Sequence, residues 1–332
     1  MFPRLAYVKV ETDDGIVGST CQNRGDVVAS IVLRRLKSLV GQNVLMTEKL
    51  WSLFWELDRI ERFQANHIGI MDSIAWDIKS KAAGLPLHKL LGGNSTRIPA
   101  YASTVTWDTF GEYERHIKHC MDLGFTSFKL HAWGDLKQDA ELCRRLREWT
   151  GDDAVLTFDA SGGWNFEESL KFGRILEDLD FYWYEEPMRE FDMHSYTRLC
   201  EALDIPVLAA ETTEGSYWNM AAWIKAGALD MARASSFLKG GITGAIKIAH
   251  LSEAFGMKAQ VHGMGQAQAQ LAAAIPNNDF YEQIIYSEEQ INSLATLSDV
   301  PIVDGFAIVS EEPGVEQEPD WDWLEKNAVT VV

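Results

Sequence analysis

Hydrophobic and polar positions alternate along LAYVKVETDDGIVGST (5–20), with Leu5, Tyr7 and Lys9 on one face, and the alternation breaks at Asp13-Asp14-Gly15. Period-two patterning around an Asp-Gly turn predicts a β-hairpin. The pattern then changes. In DVVASIVLRRLKSLVGQ, Val28, Ile31, Val32, Leu36 and Val40 recur at helical spacing until Gly41, and TEKLWSLFWELDR and HIGIMDSIAWDIKSKAAG continue as helices, the last stopped by Gly84 and Pro86. The first 97 residues therefore read as an α+β segment. Trp51, Phe54 and Trp55 within it suit either a helix core or an interface between copies of the chain.

From Ile98 short apolar runs alternate with amphipathic stretches such as FEESLKFGRILEDLD. Eight runs are recognisable: IPAYAS, TSFKLHA, AVLTFDA, FYWYEEP, IPVLAAE, LDMARAS, KAQVHG and DFYEQ. Strands alternating with helices predict a parallel sheet, and closing it into a barrel removes its edges. The predicted fold is α/β, a modified TIM barrel of the (β/α)7β kind over 98–300 under an α+β capping domain. The segment 301–332 has strand and turn texture without another βα unit, and the expectation is that it returns to the cap.

Polar residues recur at the C-terminal tips of these runs, the face on which barrel active sites assemble. Asp159 ends AVLTFD, Glu185 follows FYWY and Glu211 ends IPVLAAE, with 26 residues between each successive pair, about one βα unit. Any one of them alone would serve as a helix cap or a surface acid. Three carboxylates facing one confined space repel one another and call for a cation. A ligand set of oxygen only, without Cys or His, favours Mg²⁺.

One unit earlier, FKLHAWGD places Lys129 and His131 two apart, on the same face of a strand. A solvated strand end is the ordinary explanation for such a pair. His262 ends KAQVH across the ring, and Glu282 follows in the next run. A cation flanked by Lys129 and His131 on one side and His262 on the other suits removal of a proton α to a carboxylate.

Composition narrows the partners. The 332 residues include 46% hydrophobic and 24% charged side chains, with a formal net charge of −19. That charge disfavours nucleic acid and anionic membranes, and no apolar run reaches the roughly 18 residues of a membrane span. Cys21, Cys120, Cys143 and Cys200 are scattered without C-x-x-C spacing, and residues 1–20 lack a secretory pattern. A cytoplasmic protein acting on a small molecule is the expectation.

The chain resembles the enolase superfamily, and within it the mandelate racemase subgroup, over nearly its whole length. The resemblance rests on VETDDGIVG, AWDIKSKAAGLPLHKLLGG, Asp159, the EEP at Glu185, Glu211, GGITGA and the terminal DGFAI…EEPGVE. It implies that Asp159, Glu185 and Glu211 bind one Mg²⁺ and that Lys129 contacts the substrate carboxylate. It also implies that His262 is an acid/base, that Glu282 hydrogen-bonds the carboxylate or enediolate, and that the protein forms homo-oligomers. The family's base is a Lys or His, and its usual K-x-K is K-x-H here, so imidazole replaces the second amine. The implied activity is dehydration of an aldonic or aldaric acid to a 2-keto-3-deoxy acid. Racemisation or epimerisation of a 2-hydroxy acid, or a metal-binding relative without catalysis, are the alternatives.

Three departures from the family pattern stand out. The Asp that orients the seventh-strand histidine is replaced by Ser235, so His262 is expected to rely on a hydroxyl or to act as a neutral donor. Ser161 stands where Asn is common, either as a substrate contact or as a turn residue, and His67 opens a helix with a lesser claim on the site. The family's extra strand and specificity loop precede the segment matching LAYVKVETDDG, whereas Met1 lies almost at that point. A lid supplied otherwise, a truncated start or a site open to water would each fit, the last weakening electrostatic catalysis.

Overall fold

The computed structural model describes residues 5–62, 64–296 and 298–332. Strands β1 (Ala6–Glu11) and β2 (Val17–Gln22) form the antiparallel hairpin, with Ala6 opposite Gln22 and Glu11 opposite Val17. Helices α1 (Gly25–Arg35), α2 (Thr47–Glu61), α3 (Ala65–Ala83) and α4 (Leu87–Leu90) follow. The helical periodicity read through Gly41 tightens into a 3₁₀ turn over Leu36–Leu39. Trp51 and Phe54 are buried in the cap core with Ile68, Ile74 and Ile78, so they are packing residues and not an exposed face.

Eight parallel strands make the barrel: β3 (Arg97–Thr104), β4 (Ser127–His131), β5 (Val155–Asp159), β6 (Trp183–Glu185), β7 (Val207–Ala209), β8 (Met231–Ala234), β9 (Lys258–Val261) and β10 (Tyr281–Ile285). Seven helices connect them: α5 (Phe110–Asp122), α6 (Leu136–Thr150), α7 (Phe166–Asp178), α8 (Met193–Ala202), α9 (Ser216–Ala226), α10 (Gly241–Ala254) and α11 (Gln266–Ala274). This is the (β/α)7β arrangement. The ladder runs from β3 through β9, and β10 pairs back onto β3. Between β9 and β10 the closure uses other bonds, the amide of Ala259 to the Asn277 carbonyl (2.9 Å) and that of Val261 to Asn278 Oδ1 (2.9 Å).

Side chains inside the barrel are layered by the period of two. Tyr101, Trp183, Leu208 and Met231 form a buried apolar cluster. Ser103, Glu185 and Arg233 stand two residues further along three of those strands. The polar site thus rests on an aromatic floor.

The cap sits against α10. The amide of Thr243 (2.8 Å) and its hydroxyl (2.6 Å) donate to the buried Asp72 on α3, and Trp51 Nε1 donates to the Gly240 carbonyl (2.6 Å). Gly241 has φ +88°, and a Cβ there would lie 2.4 Å from Asp72, so this approach needs glycine twice over.

After α12 (Glu288–Ser293), β11 (Ile302–Val303) and β12 (Phe306–Ile308), the chain leaves the barrel, β12 pairing antiparallel with β3. The tail then reaches the cap and ends in α13 (Trp321–Asn327), whose Trp321 meets Tyr7 edge-on at 6.4 Å. Buried Asp77 is the clasp. Its carboxylate accepts from the amides of Ser19 (3.0 Å) and Val315 (2.8 Å) and pairs with Lys81 (2.8 Å), while Lys81 also reaches Glu318 (2.6 Å).

Removing that carboxylate would leave two buried amides unpaired, each costing about 1–3 kcal/mol. Asp77→Ala is therefore expected to lose about 2–5 kcal/mol in urea unfolding, by the same principle. A loss below about 1 kcal/mol, no more than an ordinary surface substitution, would refute the clasp.

Candidate active site

The tips of β4, β5 and β6 are in register, with His131 opposite Asp159 and Asp159 opposite Glu185. β7 reaches the same level after Ala210 turns into the left-handed region (φ 68°), bringing Glu211 to the mouth. All seven predicted residues, Lys129, His131, Asp159, Glu185, Glu211, His262 and Glu282, come together at this end of the barrel.

Lys129 is fully buried among carboxylates, with Nζ 2.8 Å from Glu282, 3.2 Å from Glu185 and 3.4 Å from Asp159. Burial alone would strip its proton, but Glu185 and Glu282 outweigh it and raise its pKa well above the usual lysine value. It is a fixed ammonium. Glu282 mirrors it: burial opposes its charge, yet Lys129 and Arg233 hold it well below the carboxylate range. Ser103 donates to Oε1 of Glu282 (2.8 Å) and the Gly263 amide to Oε2 (2.8 Å).

His131 Nδ1 bonds the carbonyl of Thr104, which can only accept, so Nδ1 carries the proton. Nε2 is left facing Asp159 at 3.3 Å. Burial lowers the pKa of His131, but Asp159 beside it wins and the balance is upward. Asp159 is in turn braced by Ser161, whose amide donates to Oδ1 at 2.7 Å. Burial raises its pKa, and Lys129 and His131 more than reverse that, holding it well below the usual range. Ser161, with φ 50°, is thus a turn residue that steadies Asp159.

His262 lies across the mouth, with Nε2 3.4 Å from Glu211. Burial pushes its pKa down to about 4 against the pull of Glu282, so it is neutral at ordinary pH. Ser235 does not orient it. The Ser235 hydroxyl accepts from the amides of Phe237 (3.2 Å) and Leu238 (3.1 Å), capping its own turn, and among the described residues no hydrogen bond joins it to His262. His67 closes the α3 capping box, its Nδ1 accepting from the Gln64 amide at 3.3 Å.

Sequence reasoning missed Arg233. It is wholly buried on β8, 2.5 Å from Glu185 Oε1, and donates to the Tyr101 hydroxyl (3.2 Å) and the Val261 carbonyl (3.2 Å). The signal was present in LDMARAS, where Met231, Arg233 and Ser235 share one face, so an arginine stands at an inward position. Glu186 was also passed over. Its φ is 41°, it accepts from the Glu211 amide (3.1 Å), and burial followed by Glu211 pushes its pKa far up.

Lys129 and Arg233 draw the carboxylates towards themselves. Among the described residues no three His, Cys, Asp or Glu side chains are gathered in metal-ligating geometry. The donor chemistry nevertheless suits a hard divalent cation: Asp159, Glu185 and Glu211 offer oxygen alone from consecutive strand ends. For Glu211, burial and then Glu185 outweigh the pull of Arg233 3.8 Å away, and its pKa is pushed up to about 8.

A carboxylate-rim barrel beneath an α+β cap defines a class, and comparison with known proteins agrees. Residues 112–323 match the enolase C-terminal domain-like family, and residues 3–92 match the mandelate racemase / muconate lactonizing enzyme N-terminal domain. The chain belongs to the enolase superfamily, in its mandelate racemase and muconate lactonizing enzyme group. D-glucarate dehydratase of Agrobacterium tumefaciens, solved with magnesium, superposes with a TM-score of 0.93 at 31% identity, over 98% of this chain and 91% of that one. A racemase of Streptomyces coelicolor with bound magnesium gives 0.86 at 25% identity, over 97% and 95%. Arabinonate dehydratase of Saccharolobus solfataricus is 26% identical over 94% of this chain and 87% of its own. Among the described residues no helix is long and apolar enough to cross a membrane.

The charges set a pH dependence for the protein without metal. Glu211 keeps in the folded state a proton that the unfolded chain releases near its ordinary value, so stability falls as pH rises towards about 8. His131 acts in the same direction, its contribution complete below the unfolded value of about 6.5 and lost as pH climbs through its raised folded value. His262 works the other way, but only below that point. In EDTA the Tm is expected to fall from pH 6.5 to 8, with a shallower slope in Glu211→Gln, as thermal melts monitored by circular dichroism would show. A flat or rising Tm would contradict the assignment.

Proposed function

We propose that the barrel mouth abstracts the proton α to the carboxylate of a sugar acid with the help of Mg²⁺, dehydrating an aldonic or aldaric acid to a 2-keto-3-deoxy acid. The observation that carries this reading is the Lys129–His131 pair, two apart on β4, an ammonium beside an imidazole whose Nδ1 is held by the Thr104 carbonyl and whose Nε2 lies 3.3 Å from Asp159. Two of the relatives named above are dehydratases of sugar acids, which supports the substrate class.

Asp159, Glu185 and Glu211 would hold the cation, which when bound supplies Lewis-acid polarisation of the substrate carboxylate. Lys129 places a permanent positive charge where negative charge develops on the enolised carboxylate. His131 takes the C2 proton on Nε2 while Thr104 holds Nδ1 and fixes the ring. Asp159 stabilises the imidazolium so formed. The C3 hydroxyl then leaves as water, with the proton returned by His131. His262, neutral, offers a hydrogen bond and no full proton at ordinary pH.

Racemisation needs a competent base on each face of the substrate carbon. The Ser235 hydroxyl is spent on the amides of Phe237 and Leu238 and does not orient His262 as a second base, and this favours dehydration.

Proton NMR in D₂O with Mg²⁺ and a panel of aldonic and aldaric acids tests the reading. The expected result is loss of the α-proton together with 2-keto-3-deoxy signals, a rate about 10²–10⁴-fold lower in His131→Asn, and a smaller loss in His262→Asn. α-Proton washout without dehydration would make the protein an epimerase. Silence across the panel, with cation bound, would make it a binding relative without turnover.

A further inference from the structure

Arg233 takes no part in the reaction as drawn, yet it is among the most completely buried charges in the molecule. A guanidinium stays protonated and cannot escape its burial by neutralising. Its position therefore dictates what the neighbouring carboxylates can do. Glu185 spends both oxygens on the barrel floor: Oε1 on Arg233 at 2.5 Å, and Oε2 on Lys129 at 3.2 Å and Trp183 Nε1 at 3.3 Å. Asp159 and Glu211 are held less closely by fixed cations, although Asp159 Oδ1 accepts from the Ser161 amide at 2.7 Å. Asp159 Oδ2 has only contacts of 3.3 and 3.4 Å, to His131 and Lys129, and Glu211 lies 3.4 Å from His262 and 3.8 Å from Arg233. The three acids are thus unequal, with Glu185 facing inward to two fixed cations and the others facing the mouth.

We infer that Arg233 is a positioning residue, a built-in cation that holds Glu185 to the barrel floor, so that a divalent cation is bound chiefly by Asp159 and Glu211 and more weakly than three free carboxylates would bind it. The inference rests on the reading of these three acids as cation ligands. Two like charges share Glu185 in this arrangement. Each must therefore lower the hold of the other, because a carboxylate oxygen engaged by a guanidinium has less to offer a metal.

Mn²⁺ titration followed by electron paramagnetic resonance, on the full chain stripped with EDTA, measures this without turnover. Asp159→Asn and Glu211→Gln are expected to weaken Mn²⁺ at least 100-fold, and Glu185→Gln less than tenfold. Arg233→Gln should tighten it at least tenfold, while Arg233→Lys, which keeps the charge, should stay within threefold of the wild type. Metal-free melting curves identify any variant that fails to fold. If Arg233→Gln is one, the comparison of Glu185→Gln with Asp159→Asn decides. Equal losses in those two, or unchanged or weaker binding in a folded Arg233→Gln, would overturn the inference. Mn²⁺ binding indifferent to both Asp159→Asn and Glu211→Gln would instead overturn the assignment of the ligands.

Discussion

Glu185, gripped between Lys129 and Arg233, is the contact on which the barrel interior depends. A buried ion costs several kcal/mol unless matched by an opposite charge in good geometry. Here alternation along β4, β6, β8 and β10 turns Lys129, Glu185, Arg233 and Glu282 into one enclosed space. None of the four is tolerable alone. Together they form an alternating array in which Lys129 meets Glu282 and Glu185, Arg233 meets Glu185, and the aromatic floor of Tyr101 and Trp183 lies beneath. The floor excludes water, and the array in turn lets charge persist where water is excluded.

That arrangement separates the two histidines. His131 stands beside Asp159 and takes on basicity from it, while His262 faces Glu211 in a setting where burial dominates and its charge is suppressed. The same side chain thus has opposite proton affinities across one mouth. Position within the charge array, and not residue type, sets which imidazole holds its proton more tightly. The turn at Ser235 belongs to the same account: its hydroxyl closes a local cap, and nothing on β8 is left to compensate the burial of the imidazole.

The barrel was legible because its strands carry a period of two, its connecting segments a period near 3.6, and its tip acids a spacing of one βα unit. Asp159, Glu185 and Glu211 could be found by that spacing, and Lys129 and His131 by their two-residue offset. Arg233 was hidden by its surroundings, since a lone charge inside an apolar run looks like noise until the strand's inward face is known. The role of Ser161 depends on a backbone turn that no side-chain pattern announces, and the bonding of β9 to β10 through Asn277 and Asn278 escapes periodicity altogether. Local signals gave the elements, whereas the partners of the buried charges in the barrel come from other strands, 30 positions away for Lys129 and Asp159 and 48 for Glu185 and Arg233.

The clasp at Asp77 has a temporal meaning. Its carboxylate joins the amide of Ser19, near the beginning of the chain, to that of Val315, near the end. During synthesis the hairpin and α3 emerge early, but the amide that completes their buried acid is not made until almost the whole barrel has left the ribosome. Until then Asp77 has only Ser19 and Lys81 to satisfy it. The cap is begun first and finished last, so its final closure reports that the barrel between has been made in full.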